Sequence, residues 1–561
     1  MGKVATTDTT HLFERHRGTL DDAIAAIQGR HFYAPYPESP SPRVYGDDAA
    51  DRGREAFEGY LGNAFPVELP GSRGQVRTEH SPYGIPLDIA YPHADATAVV
   101  AAAEAALPSW RDAGIHARAG VCLEILDRLN RRSFEMAHAV QHTSGQAFVM
   151  AFQAGGPEAQ ARGLEALAYG YDLITRYAGE VRWEKPQRKG DPLVLDKRFS
   201  AVPRGVALLI TCNTFPTWNA YPALFASLVT GNPVVVKPHP GAVLPLAITV
   251  AVAREVLAEV GLDPNTVLLA AEETDERIAR DLALDPAVRI VDFTGSTEFG
   301  NWLETNARQA FVNTEKAGVN GVVIDSTDNY AGMLDNLAFS LSLYSGQMCT
   351  TPQNIFLPRG GIGTEEGHRS AAQVQADLAA AVDRLLGDEK RATGVLGAIA
   401  NDGVARRIEA AASSGEVIRP AHAITHPEFP EARVSSPVMV GLRAESSDAF
   451  RTEQFGPISF VVETEDTAHS LRLLEETVRA RGALTAAVYS TDSATLESAE
   501  RTAHTVGVNI SANLTGQVYV NQSAAFSDYH GTGANAAATA SLTDPGFVAG
   551  RFAFVQARRP H

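Results

Sequence analysis

The stretch Gly231-Asn232-Pro233-Val234-Val235-Val236-Lys237-Pro238 joins a turn, a short apolar run and a single cation in direct succession. An apolar run of about four to eight residues between turn signals is typical of a strand that is buried on both faces. The lysine that ends the run would lie at the edge of the sheet where parallel sheets bind ligands. This stretch therefore predicts a buried parallel strand whose last side chain can contact a ligand.

Similar apolar runs surround this strand, and helical patterns separate them. The further runs are 206–211, 266–270 and 288–293. The clearest helix covers 245–260, with Pro245 in its first turn and Gly261 directly after it. Apolar strands that alternate with helices predict an α/β fold with a doubly wound parallel sheet, covered by helices on both faces. A second α/β region follows Val319, and it begins with a predicted helix over 331–344.

The composition excludes several classes of function. The 561 residues carry a net charge of −18, which disfavours nucleic acid and anionic membranes as partners. No apolar stretch approaches the roughly 18 residues of a membrane span, and residues 1–17 are too polar for a secretion signal. Three cysteines without zinc-like spacing predict neither a disulfide framework nor a metal site. We therefore expect a cytoplasmic protein.

Unusual polar residues follow the predicted strands. The loop Thr211–Asn219 offers two side-chain amides, from Asn213 and Asn219. Gly295 and Gly300 open the helix after run 288–293, where free backbone N–H groups favour an anion such as a phosphate. Taken alone, such a glycine pair is equally typical of an ordinary strand-to-helix turn, and a lone Lys237 of a solvated cation. Each of these signals, taken alone, is weak evidence for a binding site.

Three further residues could carry chemistry, and each has an ordinary alternative. Cys349 follows Gly-Gln-Met in a polar loop, although an isolated cysteine is usually a small buried apolar residue. Glu315 and Glu453 lie in segments where a surface carboxylate would be equally typical.

The order and spacing of these segments together resemble the aldehyde dehydrogenase superfamily. The segments are the Asn-containing loop, Gly231–Pro238, Phe293-Thr294-Gly295-Ser296-Thr297-Glu298-Phe299-Gly300, Glu315, Gly346-Gln347-Met348-Cys349 and Glu453-Gln454-Phe455-Gly456-Pro457. Glu315 and Cys349 are 34 positions apart, as are the general base and the nucleophile of that family. The resemblance covers nearly all of the chain after residue 85.

Within the superfamily, the motifs are most similar to the PaaN group of phenylacetic acid degradation proteins. The shared strings are Asn-x-Phe-Pro-x-Trp at 213–218, Thr-Glu-Lys-Ala-Gly-Val-Asn at 314–320 and Gly-Gln-x-Cys-Thr at 346–350. Bifunctional members of that pathway carry a hydratase domain after the dehydrogenase. This chain ends at His561, so we expect the hydratase activity to be absent.

The resemblance implies an aldehyde dehydrogenase-like fold with defined regions. It implies an N-terminal extension over 1–80, a dinucleotide-binding domain over 81–180 and 204–319, and a catalytic domain over 320–539. Segments 181–203 and 540–561 would form an oligomerisation hairpin and strand, giving a homodimer or homotetramer. The loop-rich composition of the first 80 residues predicts an extension without a core of its own.

The resemblance also assigns roles to the candidate residues. Cys349 would be the nucleophile and Glu315 the general base. The amide that stabilises the oxyanion would come from Asn213, with Asn219 as the alternative because the loop carries an apparent insertion. The residues expected to bind the cofactor are Lys237, Gly295, Ser296, Gly300, Glu453 and Phe455.

The implied function is the NAD(P)-dependent oxidation of an aldehyde through a cysteine thioester, with a semialdehyde of phenylacetate breakdown, CoA-linked in that pathway, as substrate. Pro240 stands where many NAD-preferring members carry a glutamate, which favours NADP over NAD. The Pro238-His239-Pro240 string is similar to CoA-acylating members, whereas Glu315 favours hydrolysis of the thioester by water. A catalytically silent dinucleotide-binding relative is the remaining alternative.

Overall fold

The computed structural model describes residues 9–316, 318–445, 448–516 and 524–561. The expectation that residues 1–17 carry no secretion signal falls partly outside these ranges, and so does Ala317 of the Glu315 motif. None of the helices in the described ranges is at once long enough and apolar enough to cross a membrane.

The first part of the described chain is mainly helical. Its elements are α1 (Thr10–Gly29), α2 (Pro42–Tyr45), α3 (Ala49–Glu58), β1 (Gln75–Val76), β2 (Tyr91–Pro92), α4 (Ala96–Asp112), α5 (Ile115–Arg131), α6 (Ser133–Ser144), α7 (Phe148–Gly155) and α8 (Pro157–Thr175). Asp95 caps α4 by accepting a hydrogen bond from the backbone of Ala98. Helices α5 and α6 follow each other directly and meet at Arg132.

The N-terminal segment corrects the prediction of a loop-rich extension. Helix α1 buries Leu12, Phe13, Leu20, Ala23, Ala26 and Ile27 along one face, and it packs against α5 and α8. These positions recur at helical spacing, so burial of the apolar face stabilises the helix. The prolines around 37–42 favour loops, but the apolar periodicity of α1 prevails. The helix packs into the main hydrophobic core, which is compatible with a segment that has no core of its own.

A five-stranded sheet forms the second part of the structure. Its elements are β5 (Val206–Ile210), α9 (Ala220–Val229), β6 (Val234–Lys237), α10 (Leu244–Glu259), the 3-10 turn Pro264–Thr266, β7 (Val267–Leu269), α11 (Ile278–Leu284), β8 (Val288–Gly295), α12 (Thr297–Asn306) and β9 (Phe311–Lys316). The strand order is β7-β6-β5-β8-β9 and every pairing is parallel. The predicted doubly wound sheet is confirmed. The chain reverses its direction of winding between β5 and β8, where such sheets bind ligands.

A seven-stranded sheet forms the third part. Its elements are β10 (Gly321–Ile324), α13 (Tyr330–Ser342), the 3-10 segment Leu343–Gly346, β11 (Asn354–Pro358), β12 (Ile362–Thr364), β13 (Gly367–Arg369), α14 (Ala371–Leu386), α15 (Glu389–Val395), α16 (Asp402–Ala412), β14 (Glu416–Arg419), β15 (Ala423–Ile424), β16 (Val434–Ser435), β17 (Val438–Arg443), the 3-10 turn Ala449–Arg451, β18 (Ile458–Thr464), α17 (Thr467–Arg481), β19 (Thr485–Tyr489), α18 (Ser493–Val506) and β20 (Asn509–Ala512). The order is β14-β17-β18-β11-β10-β19-β20, with only β14 antiparallel to its neighbour.

The two segments predicted to mediate oligomerisation pair with each other. After α19 (Pro545–Ala549), strand β21 (Phe552–Pro560) pairs antiparallel with β4 (Leu193–Pro203), which pairs in turn with β3 (Glu180–Lys185). Most side chains of this three-stranded sheet are exposed, including Phe554 and Val555. The oligomeric state itself stays a prediction.

A buried ion pair attaches the C-terminal segment to the five-stranded sheet. The Arg551 guanidinium donates to Asp292 of β8 through Nη1–Oδ2 (2.8 Å) and Nη2–Oδ1 (2.6 Å), and Nη1 also donates to Ser227 Oγ (2.7 Å). Asn313 of β9 donates to the same carboxylate at 2.9 Å. Arg551 is fully buried, so its charge depends on Asp292 for compensation.

We expect Arg551→Met to lower the free energy of unfolding by about 3–5 kcal/mol, because it leaves the buried Asp292 carboxylate without a cation. Urea denaturation followed by tryptophan fluorescence measures the change. Arg472→Met, on the exposed face of α17, is the control and should lie within about 0.5 kcal/mol of wild type. Equal stability of the two variants would contradict a structural role for the pair.

Candidate active site

A cavity of about 370 Å³ contains several of the residues that the sequence singles out. Its walls are largely apolar and include Met150, Phe215, Trp218, Phe339 and Val395. The ionisable and amide groups that reach it are Gln153, Glu158, Asn219, Cys349 and His530. A mostly apolar cavity with a few convergent polar groups has the usual character of a small-molecule site.

The backbone before Cys349 has an unusual conformation. Tyr344, Ser345 and Gly346 have φ of 53°, 50° and 63°, so three consecutive residues are left-handed. Gly346 is required here because a Cβ would lie 2.4 Å from the carbonyl oxygen of Gly456. For the two other residues this conformation costs free energy, and the surrounding contacts must supply it.

Side-chain hydrogen bonds hold this turn in place. Ser345 Oγ donates to the carbonyls of Gly397 (2.8 Å) and Ser435 (3.0 Å). Gln347 donates to Ala398 O at 2.9 Å and accepts from the backbone N–H of Ala400 at 3.1 Å. Residues 397–400 and Ser435 thus hold the loop before Cys349 from one side.

Asn320 fixes the loop around Cys349, the predicted nucleophile, from the other side. Its Nδ2 donates to the carbonyls of Cys349 (2.8 Å) and Thr351 (3.1 Å), and its Oδ1 accepts from the backbone N–H groups of Leu484 and Thr485. Asn320 is buried, and a side-chain amide is the group that can donate to two carbonyls while accepting from two amides.

Cys349, His530 and Glu315 form a compact group. Cys349 Sγ lies 3.5 Å from His530 Nε2, and the same nitrogen lies 3.1 Å from Glu315 Oε1. The ligand-type atoms of the three side chains all lie within 4.8 Å of one another. Glu315 is 1% exposed and His530 3%. A thiol, an imidazole and a carboxylate in contact can exchange protons and support nucleophilic chemistry.

Burial and neighbouring charges shift the ionisation of this group. Burial of Cys349, together with the negative charge of Glu315, raises the pKa of the thiol well above its usual value. Burial alone would also raise the pKa of Glu315, but the charge and hydrogen bond of His530, with the charge of Arg162, hold that pKa below its usual value. The carboxylate is therefore charged near neutral pH, and the thiol needs a partner in order to ionise.

His530 was not among the residues selected from the sequence. It lies 181 residues after Cys349, in a segment without a motif, and only its position in the fold reveals it. The Trp218 ring contacts the imidazole edge to face, with centroids 4.7 Å apart.

The structure places the two candidate amides in different surroundings. Asn219, at the start of α9, lines the cavity, and its Nδ2 lies 3.4 Å from Glu315 Oε1 and 3.9 Å from Cys212 Sγ. Asn213 instead donates to Thr143 O at 3.1 Å and does not line the cavity. The geometry therefore favours the alternative amide, Asn219.

Arg162 places a buried cation next to the cavity. Its guanidinium lies 4.0 Å from the centroid of Trp218, and none of its three nitrogens has a hydrogen-bond partner among the described residues. Burial lowers its pKa, whereas the charges of Glu165, Glu315 and Cys349 oppose that shift. Its charge therefore acts on the neighbouring carboxylates without a direct hydrogen bond.

Four of the residues expected to bind the cofactor, Lys237, Gly295, Ser296 and Gly300, lie along the carboxyl edge of the five-stranded sheet. Lys237 ends β6 and forms a buried ion pair with Glu272, which follows β7. Ser296 caps α12 by accepting from the backbone of Phe299 at 3.3 Å. Gly295 and Gly300 pack closely on Phe293 and Lys316, respectively, which leaves no room for a Cβ at either position.

Glu453 and Phe455 lie in the loop before β18. Burial raises the pKa of Glu453 to about 7, although the positive charge of Arg407 counteracts the shift. Arg407 Nε donates to the carbonyl of Phe455 at 2.8 Å and so fixes the loop. The Glu453 carboxyl is therefore partly protonated at neutral pH.

Among the described residues, one other group of acidic and histidine side chains is as tightly clustered as the Cys349 group. It contains His16, Glu124 and Asp127. Arg15 and Arg128 pair with Glu124, and Arg131 pairs with Asp127, so this second group is an ion-pair network on the helical region.

We expect Asn320→Asp to destabilise the protein by about 1–3 kcal/mol, because a carboxylate would oppose two carbonyls that have lost their donor. The midpoint of urea denaturation measures the effect. Asn401→Asp is the matched control, since an aspartate can also accept from Gly403 N at that helix start. If both variants unfold at the wild-type midpoint, Asn320 does not hold the nucleophile loop.

Comparison with known proteins identifies the relatives of this chain. The model of the family described as "Aldehyde dehydrogenase family" matches residues 90–538. A vanillin dehydrogenase from Pseudomonas fluorescens is 27% identical over 407 residues, which covers 71% of this chain and 77% of the relative.

Solved structures agree over a larger part of the chain. The crystal structure of an NAD-dependent aldehyde dehydrogenase from Burkholderia multivorans is 54% identical, with a TM-score of 0.97, and the match covers 98% of this chain and 99% of that one. A 1-pyrroline-5-carboxylate dehydrogenase from Thermus thermophilus shares the fold at 19% identity, with a TM-score of 0.74 and coverage of 95% and 99%.

Proposed function

This chain belongs to the aldehyde dehydrogenase family, and we propose that it oxidises an apolar aldehyde to the carboxylic acid with NAD as acceptor. The observation that carries the proposal is a single apolar cavity in which the Cys349 thiol and the Asn219 amide meet, next to the buried Glu315 carboxylate. The 54% identity to an NAD-dependent aldehyde dehydrogenase along nearly the whole chain supports it.

The first step is the attack of Cys349 on the aldehyde carbonyl. The left-handed turn and Asn320 hold Sγ at the cavity wall. The thiol therefore loses less conformational entropy when it attacks the carbonyl. The carbonyl oxygen becomes an oxyanion, and Asn219 Nδ2 is the side-chain donor available for it. A donor of this kind contributes about 3–4 kcal/mol to the transition state.

The residues along the sheet edge fit a dinucleotide. The nicotinamide ring of NAD, when bound, supplies the acceptor that makes the aldehyde carbon oxidisable. Lys237 and Glu272 would hold hydroxyl groups of one ribose, and the capped start of α12 at Ser296 would lie along the diphosphate. Glu453 would accept from the other ribose, with Phe455 beside the ring.

The last step is the release of the acid by water. Glu315 is charged and buried, with one carboxylate oxygen that has no partner among the described residues. That oxygen is free to take a proton from water as the water attacks the thioester carbon. The presence of this base supports hydrolysis over transfer to CoA, and it disfavours a catalytically silent relative.

The cavity also restricts the substrate. Aromatic and aliphatic walls favour an aldehyde with an aromatic or similarly apolar body. The vanillin dehydrogenase relative, whose name denotes an aromatic aldehyde, supports this class. The CoA-linked semialdehyde implied by the resemblance to PaaN proteins is the second candidate, and it rests on that resemblance alone.

Glu272 supports NAD over NADP. Pro240 leaves the position three residues after Lys237 without a carboxylate, but Glu272 supplies one from the segment that follows the neighbouring strand β7. Its buried charge, fixed by Lys237 and the backbone N–H of Ile278 (2.7 Å), would repel a 2′-phosphate.

We further propose that the β21-β4-β3 sheet joins subunits into a homodimer or homotetramer and that the enzyme works in a reducing cytoplasm.

The proposed function is tested with NAD and a panel of benzaldehydes, aliphatic aldehydes and a CoA-linked semialdehyde, while reduced-nicotinamide absorbance is followed. We expect Cys349→Ala to abolish turnover and Glu315→Gln to give one burst per subunit followed by stalling, because the thioester forms but is not hydrolysed. Cys122→Ala is the control, since Cys122 is buried in the helical core.

Turnover of Glu315→Gln at the wild-type rate would contradict the role of Glu315. Turnover that needs added CoA would assign the enzyme to the acylating branch instead. Preference for the CoA-linked semialdehyde over every benzaldehyde would select the second substrate.

We expect Glu272→Gln to improve kcat/KM with NADP by about tenfold relative to NAD, because the substitution removes a like charge worth about 1.4 kcal/mol from the 2′-phosphate. Steady-state kinetics with both cofactors measure the ratio. Glu273→Gln, at the exposed neighbouring position, is the control. An unchanged ratio would show that another residue sets the cofactor preference.

A further inference from the structure

His530 contacts both reacting side chains of the proposed reaction. Its Nε2 lies 3.5 Å from the nucleophilic sulfur and 3.1 Å from the carboxylate of Glu315. Glu315 also lies within 4.8 Å of the sulfur and hydrogen-bonds the thiol. The thiol therefore has two neighbouring groups that could receive its proton, the imidazole and the carboxylate.

The thiol needs such an acceptor. Cys349 is surrounded by the apolar cavity and faces the negative charge of Glu315, and both factors raise the pKa of its thiol. Among the neighbours on other elements, Asn219 presents an amide N–H, Arg162 is a cation, and Cys212 is a half-buried thiol whose pKa is raised to about 11. Glu158 also lines the cavity, but among the described residues it is His530 and Glu315 that cluster within 4.8 Å of the sulfur.

We propose that His530 is a catalytic residue of this enzyme, whose Nε2 takes the proton of the Cys349 thiol before the attack. Before the transfer, the neutral imidazole carries its hydrogen on Nδ1 and its lone pair on Nε2. The S–H bond breaks with its electron pair left on sulfur, and the new Nε2–H bond then donates to the Glu315 carboxylate. The products are a thiolate and an imidazolium in contact. The inference deepens the proposed function and rests on it for the role of Cys349.

The arrangement of charges favours this state. After the transfer, the Nε2–H group lies between two anions, the thiolate and the Glu315 carboxylate. Arg162 adds a second positive charge that acts on both anions, so two cations balance two anions in a cavity with little solvent. If Glu315 took the proton instead, it would lose the charge that it needs as the base of the last step.

The imidazole is also held in the orientation that the transfer requires. The Trp218 ring packs against it at 76° between ring planes, and Arg162 stacks on the same Trp218 ring. The ring nitrogen Nδ1 is buried without a partner among the described residues, so the contacts of His530 are concentrated on Nε2. Asp528, two positions before His530, accepts from Ala524 N and is engaged in its own turn.

The test is the rate of alkylation of Cys349 by iodoacetamide as a function of pH, without aldehyde or NAD. Peptide mass spectrometry assigns the label to Cys349, and a Cys212→Ala background removes the other accessible thiol. For the wild type, we expect the alkylation rate to rise with pH and to level off before about pH 8, because a thiolate paired with an imidazolium persists at neutral pH.

His530→Gln should lose this plateau and react about ten- to a hundredfold more slowly at pH 7, with a rate that rises only at alkaline pH. Glu315→Gln should keep the plateau, since removal of that anion eases ionisation of the thiol. His504→Gln, an exposed substitution on α18, is the control and should match the wild type.

Two results would overturn the inference. A wild-type rate that rises in a single step at alkaline pH would show that no thiolate–imidazolium pair exists, and this holds even if His530→Gln fails to fold. Loss of the plateau in Glu315→Gln together with its retention in His530→Gln would make Glu315 the acceptor. Since alkylation needs no aldehyde, failure of the proposed oxidation leaves the alkylation result intact and is recognised separately.

Discussion

The charge of Glu315 is the constraint around which the active site is arranged. A carboxylate removed from water is stable as an anion only if cations and donors replace the lost solvation. His530 and Asn219 contact it, and the guanidinium of Arg162 acts on it from behind Trp218. These three side chains and Glu315 itself come from four separate segments of the chain, so the anion is stabilised only when all four segments are folded and in contact.

A second constraint lies in the backbone that presents the nucleophile. Three consecutive left-handed residues precede Cys349, and such a turn persists only where the surrounding contacts determine it. Ser345 and Gln347 bind carbonyls of the catalytic region, while Asn320 reaches the loop from the neighbouring strand. The position of the sulfur is therefore set by buried hydrogen bonds and depends little on the cavity walls, which leaves the walls free to determine the substrate.

The sheet and its reactive residues could be predicted from the sequence because both have local signals. Apolar runs mark β5, β6 and β8, and the spacing of Glu315 and Cys349 marks the reaction. Helix α1 could also have been found from its periodicity, but the prolines that follow it obscured the pattern. His530 and Glu272 could not be found, since each acts through a partner that is distant in sequence and has no motif of its own. The choice between Asn213 and Asn219 likewise needed the course of the loop in space.

The ion pair between Asp292 and Arg551 has a consequence for the order in which the protein folds during translation. The two residues are 259 positions apart, so the carboxylate is made long before its counter-ion. At a translation rate of about 5–20 residues per second, roughly 10–50 s pass between the synthesis of Asp292 and that of Arg551. Throughout this interval the nascent cofactor-binding region carries an uncompensated interior charge. The five-stranded sheet therefore reaches its final stability only after translation of the C-terminal strand.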